Sequence, residues 1–242
     1  ELKNKQLAWS IDTYNYPVYS KNENTNQKID IYDKFTIWKN FFGSYDNLFV
    51  IFSKDKKWSS LNDIDDSLPL NIKKLYIRDV RNNWYFDGIK GLTKDFDENI
   101  CFLENMIKES KCKKVTFIGE NGGGFASILY GTKLNIDKVL VFNPHTYLDK
   151  ETRLYYNDER WNSPKLEKIQ NNNVPYLNLK YLGKSTTEID IVYSNNFLQI
   201  SHYENLKNNT NLILNCHKVE VKEDNLVKYL KYIGLLSEIL KI

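Results

Sequence analysis

Cysteine, histidine and one-sided charge are all scarce in this chain, and each scarcity removes a class of function. The three cysteines, Cys101, Cys112 and Cys216, follow no metal-ligand spacing and no even-numbered disulfide pattern. That usage favours a reducing compartment, with the cytoplasm as the default location. The three histidines, His145, His202 and His217, lie too far apart in sequence to suggest a metal site, so no metal is expected. A formal net charge of +3, with lysines spread along the chain, gives no footprint for nucleic acid. No apolar stretch reaches the length of a membrane-spanning helix, so membrane insertion is not expected. The N-terminus lacks the basic-then-apolar layout of a signal peptide. Glu1 is not an initiator Met, consistent with processing or with excision from a longer polypeptide.

What is present reads as a globular α/β protein. With 242 residues, 41% hydrophobic and 27% charged, the chain can bury one substantial core, and residues 1–242 are expected to form a single domain. Alternating runs at 6–11 and 28–32 suggest antiparallel edge strands. Continuous apolar runs at 48–52, 75–77, 115–119 and 138–142 suggest strands covered on both faces. Strand character returns at 176–182 and 189–193, and the last strand runs from Leu212 to Val219 and Val221. Asp97 is placed to cap a helix with Ile100, Leu103, Met106 and Ile107 on one face, and a second helix closes the chain over 225–240, with Leu226, Tyr229, Leu230, Ile233 and Leu236 inward. The charged, aromatic stretch 146–173 reads as an insertion or cap. Strands alternating with helices predict a three-layer α/β/α arrangement around a mainly parallel sheet.

The most informative segment is Val115-Thr-Phe-Ile-Gly-Glu-Asn-Gly-Gly-Gly-Phe125. A strand reaches Gly119, turns through Glu120 and Asn121, and enters a helix that opens on Gly122, Gly123 and Gly124. This is the outline of the strand–turn–helix elbow Gly-x-Ser-x-Gly, with asparagine at the serine position. A carboxamide is a poor nucleophile, because its nitrogen lone pair is delocalised into the carbonyl. The dinucleotide pattern Gly-x-Gly-x-x-Gly does not fit, no Walker lysine follows, and no cofactor is expected.

Several segments resemble α/β-hydrolase-fold proteins encoded with bacterial surface-polysaccharide and glycan biosynthesis machinery. They are Ile77-Arg-Asp79 with Asn83-Trp-Tyr85 and Gly88, Ile118 to Gly131, Leu134 to Val139, Phe142-Asn-Pro-His-Thr146, and Asp224 to Leu230. Their shared order carries the resemblance over most of 48–240. It implies a serine nucleophile, an acid after the penultimate strand and a histidine before the last helix. This chain departs at each: Asn121 holds the nucleophile position, Asp224-Asn225 stands where His-Asn is expected, and Asn195, Asn196 or Gln199 occupies the acid site. The same resemblance implies glycan, or glycan-biosynthesis proteins, as partners.

His217 and His202 are the remaining candidates for a catalytic base, although His217 lies in a strand-like run that also suits a structural role. His145 is placed to line a pocket beyond the carboxyl ends of the strands, where open α/β sheets bind ligands. Ser53 and Lys54 follow a strand where this fold supplies an oxyanion donor, and the Gly122 N–H would supply the other. Glu120, beside the apex, is a further ligand-binding candidate, or half of a carboxylate pair with Asp224. Trp84, Tyr85, Phe86, Tyr155, Tyr156 and Trp161 are candidate sugar-stacking aromatics, with core packing as their ordinary use. The leading expectation is a degenerate hydrolase-fold binding or accessory module. The rival is a carbohydrate esterase or acyltransferase with an unconventional, or engineered-out, nucleophile at Asn121.

Overall fold

The apolar runs assemble into one seven-stranded sheet. The computed structural model describes residues 20–21, 28–29, 36–57, 61–160, 166 and 176–241. Strands β1 (Ser20–Lys21) and β2 (Lys28–Ile29) form a separate antiparallel ribbon. The main sheet contains β3 (Ile37–Asn40), β4 (Asn47–Phe52), β5 (Lys73–Ile77), β6 (Lys114–Glu120), β7 (Lys138–Phe142), β8 (Glu188–Ser194) and β9 (Ile213–Val219). Their order is β3-β5-β4-β6-β7-β8-β9, and only β3 runs antiparallel. Because β5 and β6 flank β4 on opposite sides, the chain reverses direction there. Ligand crevices of open α/β sheets form at such switch points.

Side chains alternate across each strand, so one run feeds two cores. Leu48, Val50 and Phe52 face a core shared with helices α2 (Phe96–Ser110) and α3 (Gly122–Leu134). Phe49 and Ile51 face the opposite core, closed by α1 (Asn62–Asp65), α6 (Leu226–Tyr232) and α7 (Leu236–Ile239). The remaining helices are α4 (Lys150–Tyr155) and α5 (Phe197–Lys207). Helix α3 is buried from Gly122 through Thr132. Phe125, Ile128 and Leu129 have no exposed surface, each burial contributing about 1.5–3 kcal/mol.

Glycine lets α3 lie this close. A Cβ on Gly119 would fall 2.3 Å from the Gly123 carbonyl, and one on Gly123 would fall 2.2 Å from the Phe52 oxygen. Only hydrogen fits at either crossing.

Several elements differ from the sequence expectation. The helix after residue 95 is capped by Asp95, whose side chain accepts from the Glu98 N–H, so it starts earlier than an Asp97 cap implies. Residues 176–182 form no long strand. Asn178 makes a single bridge to Tyr147, and its side chain caps a 3-10 turn at Leu179–Tyr181. The closing helix breaks into α6 and α7 at Gly234, which takes φ 78°, and Ile233 is 41% exposed rather than inward. Strand β3 and helix α1 were not expected from the pattern. The run at 6–11, and the greater part of 161–175, lie outside the described residues.

Candidate functional site

The turn between β6 and α3 puts Asn121 in a conformation that L residues seldom adopt, φ 50° and ψ −113°. Such a backbone costs about 1–3 kcal/mol and persists only where its surroundings enforce it. Here three backbone bonds do so. The Asn121 N–H donates to the Phe142 carbonyl at 3.1 Å, and the Asn121 carbonyl accepts from Phe125 N at 3.0 Å and His145 N at 3.1 Å. The elbow is thus pinned by β7, by the first turn of α3 and by the loop after β7. Gly122 then opens α3, where a helix's first N–H groups have no intrahelical acceptor.

Beside the elbow lies a cleft of about 440 Å³, lined in part by Asn121, Gly122, Lys54, Trp84 and His145. Its other walls carry Asp55, Asp79, Asn82, Arg160, Asn196, Leu198, Gln199 and Asp224. Asn82, Trp84 and Tyr85 all take left-handed φ, at 50°, 55° and 64°, which swings the indole over the elbow. A Cβ on Gly122 would rest 3.4 Å from the indole ring. Trp84 Nε1 donates to His145 Nδ1 at 3.1 Å. Burial first, then the neighbouring His202 and Arg160, push the His145 pKa well below the ordinary histidine range.

The positions that the resemblance assigns to acid and base meet at the cleft. Asn196 Nδ2 donates to Asp224 Oδ1 at 3.0 Å. Asn196 is an amide and no base, and among the described residues the exposed Asp224 carboxylate is hydrogen-bonded to Asn196 and not to Asn121. Gln199 is 3% exposed, and its Oε1 has no hydrogen-bond partner among the described residues. A buried acceptor left open in this way is costly unless something donates to it.

The other candidates are drawn elsewhere. Ser53 is fully buried, and its N–H is spent on the Ile77 carbonyl at 2.9 Å. Its hydroxyl accepts from Asp79 N at 3.0 Å and donates to the Asp55 carbonyl, so Ser53 shapes the strand end and does not face the cleft. Glu120 is 3% exposed, and its Oε2 meets Lys54 Nζ at 2.7 Å. Its Oε1 accepts from Val227 N at 3.4 Å, in the first turn of α6. Burial raises the Glu120 pKa, with Lys54 opposing. Glu120 therefore makes no pair with Asp224; it ties the elbow to the opposite helical layer.

His202 lies within α5, 1% exposed, accepting from Thr146 N at 3.1 Å and packed against the Tyr147 ring, with centroids 4.1 Å apart and the planes tilted by 30°. Burial and Arg160 hold its pKa well below the ordinary range. Arg160, clamped by Asp158 at 2.8–2.9 Å, separates His202 from the cleft. His217 is exposed on the edge strand β9, opposite Val192, and is not among the cleft residues. Among the described aromatics, Trp84 alone lines the cleft; Tyr85 and Phe86 pack in the core, Tyr155 is 80% exposed, and Trp161 lies outside the described residues. Arg160 and Asn82 were missed from sequence. The Asn-Asn-Trp run is a signal for left-handed backbone that would have marked Asn82; Arg160 carried none. Among the described residues no group of three His, Cys, Asp or Glu is placed to hold a metal, and no helix is long and apolar enough to cross a membrane.

Sheet order, flanking layers and the strained elbow together define an α/β-hydrolase fold. Solved structures agree with it. The capsule O-acetyltransferase of Neisseria meningitidis serogroup A matches with a TM-score of 0.58 at 16% identity, over 84% of this chain and 90% of that one. A lipase/esterase from Lactobacillus plantarum matches with a TM-score of 0.53 at 8% identity, over 83% and 93%. The Glycosylation Associate Protein complex from Streptococcus agalactiae matches with a TM-score of 0.50 at 12% identity, over 84% of this chain and 43% of that one. At these identities the likeness is one of fold. No protein-family model matches the chain, and a sequence search of curated proteins returns no match.

Proposed function

We propose that this chain is a hydrolase-fold binding module that serves bacterial glycan assembly in the cytoplasm, as an accessory to enzymes rather than as a Ser-His-Asp hydrolase. In this reading residues 1–242 act as one domain, with 146–173 as an insertion or cap segment. The observation that carries it is the strained elbow with an amide, Asn121, at its apex; the resemblance puts Asp224 at the base position and Asn195, Asn196 or Gln199 at the acid position, and Asn196 is hydrogen-bonded to Asp224. A triad works only when nucleophile, base and orienting acid lie within hydrogen-bond reach. Here the imidazoles nearest the elbow, His145 and His202, are buried and engaged by Trp84 and Thr146.

The lining supports a hydroxyl-rich ligand. Planar amides and carboxylates, Asn82, Gln199, Asn196 and Asp224, accept and donate in the directions sugar hydroxyls require, and Trp84 offers an apolar face. The open Oε1 of Gln199 awaits a donor. The glycan setting draws on the names of the capsule O-acetyltransferase and the glycosylation-associated protein that share the fold.

The test is a titration with neutral oligosaccharides, followed by protein NMR, beside an assay with a generic acyl ester. The expected result is saturable binding that weakens in Gln199→Leu and Trp84→Ala, with no ester turnover. Turnover abolished by His217→Ala would establish the esterase or acyltransferase reading instead.

A further inference from the structure

Asn121-Gly122 is the sole Asn-Gly pair in the sequence. Intramolecular attack of a backbone nitrogen on the preceding asparagine side chain is easiest when the following residue is glycine, which has no side chain to obstruct the ring. The attack also requires the Cα–Cβ bond of the asparagine to eclipse the C–N bond to the next residue, because both become edges of one nearly planar five-membered ring. With tetrahedral substituents on an L residue, a ψ of −113° comes close to that eclipse. The bonds from Phe125, Phe142 and His145 that hold the elbow hold this ψ as well. Elsewhere in a fold, helix and strand ψ values keep the two bonds apart.

We infer that Asn121 is a self-modification site: the elbow is preorganised to convert its carboxamide to aspartate through a succinimide. In the first step a base removes the Gly122 amide proton, the nitrogen bonds to Asn121 Cγ, and the Cγ–Nδ2 bond breaks to release ammonia. In the second step water adds to Cγ, the bond to Gly122 nitrogen breaks, and that nitrogen regains its proton. The sum is asparagine plus water giving aspartate plus ammonium.

Two further features favour the reaction. Gly122 is the first residue of the thirteen-residue helix α3, whose dipole stabilises negative charge developing on that nitrogen. Asn121 is only partly buried and lines the cleft, so water reaches Cγ. Opening at Cγ, rather than at the backbone carbonyl, keeps the normal chain. The Phe125 and His145 N–H groups anchor the Asn121 carbonyl oxygen and so hold the backbone on its native trace during opening. The product sets a carboxylate at the apex of the elbow, beside Lys54 and His145.

The experiment follows the tryptic peptide containing residue 121 by mass spectrometry during incubation of freshly purified folded protein at mildly alkaline pH. A parallel sample is unfolded in urea, and Asn121→Asp serves as the retention standard. The expected result is conversion in the folded protein at least as fast as in the unfolded chain, giving mainly aspartate, with release of one equivalent of ammonia. Gly122→Ala should slow it severalfold. That variant is sterically tolerated, since the new Cβ meets its nearest neighbours at 3.4–3.5 Å. The inference is overturned if residue 121 stays an amide in the folded protein while the unfolded chain converts. It is also overturned if the folded product is mainly isoaspartate. Both wild-type arms stand without the variant.

Discussion

Asn196 donates to Asp224 across 3.0 Å, and in the proposed reading Asp224 holds the place of a histidine base while Asn196 is one of three residues, with Asn195 and Gln199, that hold the place of an acid. The contact has the position of an acid–base pair but runs the wrong way: the acid's place holds the donor, and the base's place holds a carboxylate. Among the described residues neither partner forms a hydrogen bond with the Asn121 side chain through which a proton could pass. Restoring chemistry should therefore require all three positions. Asn121→Ser alone is expected to show no ester turnover above buffer. Asn121→Ser/Asn196→Asp/Asp224→His is expected to gain about 10²-fold or more, the scale of general acid–base assistance. Steady-state assays of the single and triple variants check this.

Helix α3 should tolerate no methyl where it crosses the sheet. Gly119→Ala and Gly123→Ala each place Cβ within 2.3 Å of backbone atoms. Each is expected to cost about 3 kcal/mol or more, the upper end for overpacking. Gly122→Ala, with ordinary contacts, should stay within about 1 kcal/mol of the parent. Urea denaturation of the three variants separates these outcomes.

The pair of Lys54 Nζ and Glu120 Oε2 at 2.7 Å is nearly buried on the carboxylate side. Removing the lysine leaves the carboxylate uncompensated, a loss of about 3–5 kcal/mol for a buried pair. Lys54 keeps 21% of its side chain exposed, so Lys54→Met is expected near the lower end. Burial already raises the Glu120 pKa, so the variant can recover by protonating Glu120. Its destabilisation should be largest above neutral pH and shrink towards pH 5, and Lys54→Met/Glu120→Gln should recover most of it at every pH.

Acid should destabilise the fold through two histidines. The folded-state pKa values of His145 and His202 lie well below 6.5, chiefly from burial. Below that value the unfolded chain binds protons that the folded chain excludes, so stability falls as pH falls. Each group contributes up to about 1.4 kcal/mol per pH unit. Glu120 works in the opposite sense, gaining stability on acidification because its folded pKa is raised. The expected net result between pH 7 and 5 is a falling urea midpoint. Replacing His202 by Asn should flatten the slope while lowering stability at pH 7.

Much of the architecture was legible because apolar runs and glycine spacing are local signals. Leu48–Phe52, Val115–Gly119 and Lys138–Phe142 are hydrophobic enough to demand burial on both faces, and the glycines after Asn121 specify a helix pressed on a sheet. The 3-10 turn at Leu179–Tyr181 was not legible, because it is set by the Asn178 side chain rather than by periodicity. Nor was the fate of Glu120 or Ser53. Both sit at strand ends, where one residue's rotation decides between cleft and core, and their partners Lys54, Val227 and Ile77 come from distant segments. His217 lay near the expected position in sequence, but β9 is an edge strand that turns it to solvent.

In the proposed function the side chain at the elbow does not attack a carbonyl. The direct measurement is peptide mass mapping of freshly prepared chain, verified as amide at residue 121, after incubation with a generic acyl ester. The predicted result is an unmodified peptide and hydrolysis no faster than in buffer. An acyl group trapped on Asn121 would contradict it.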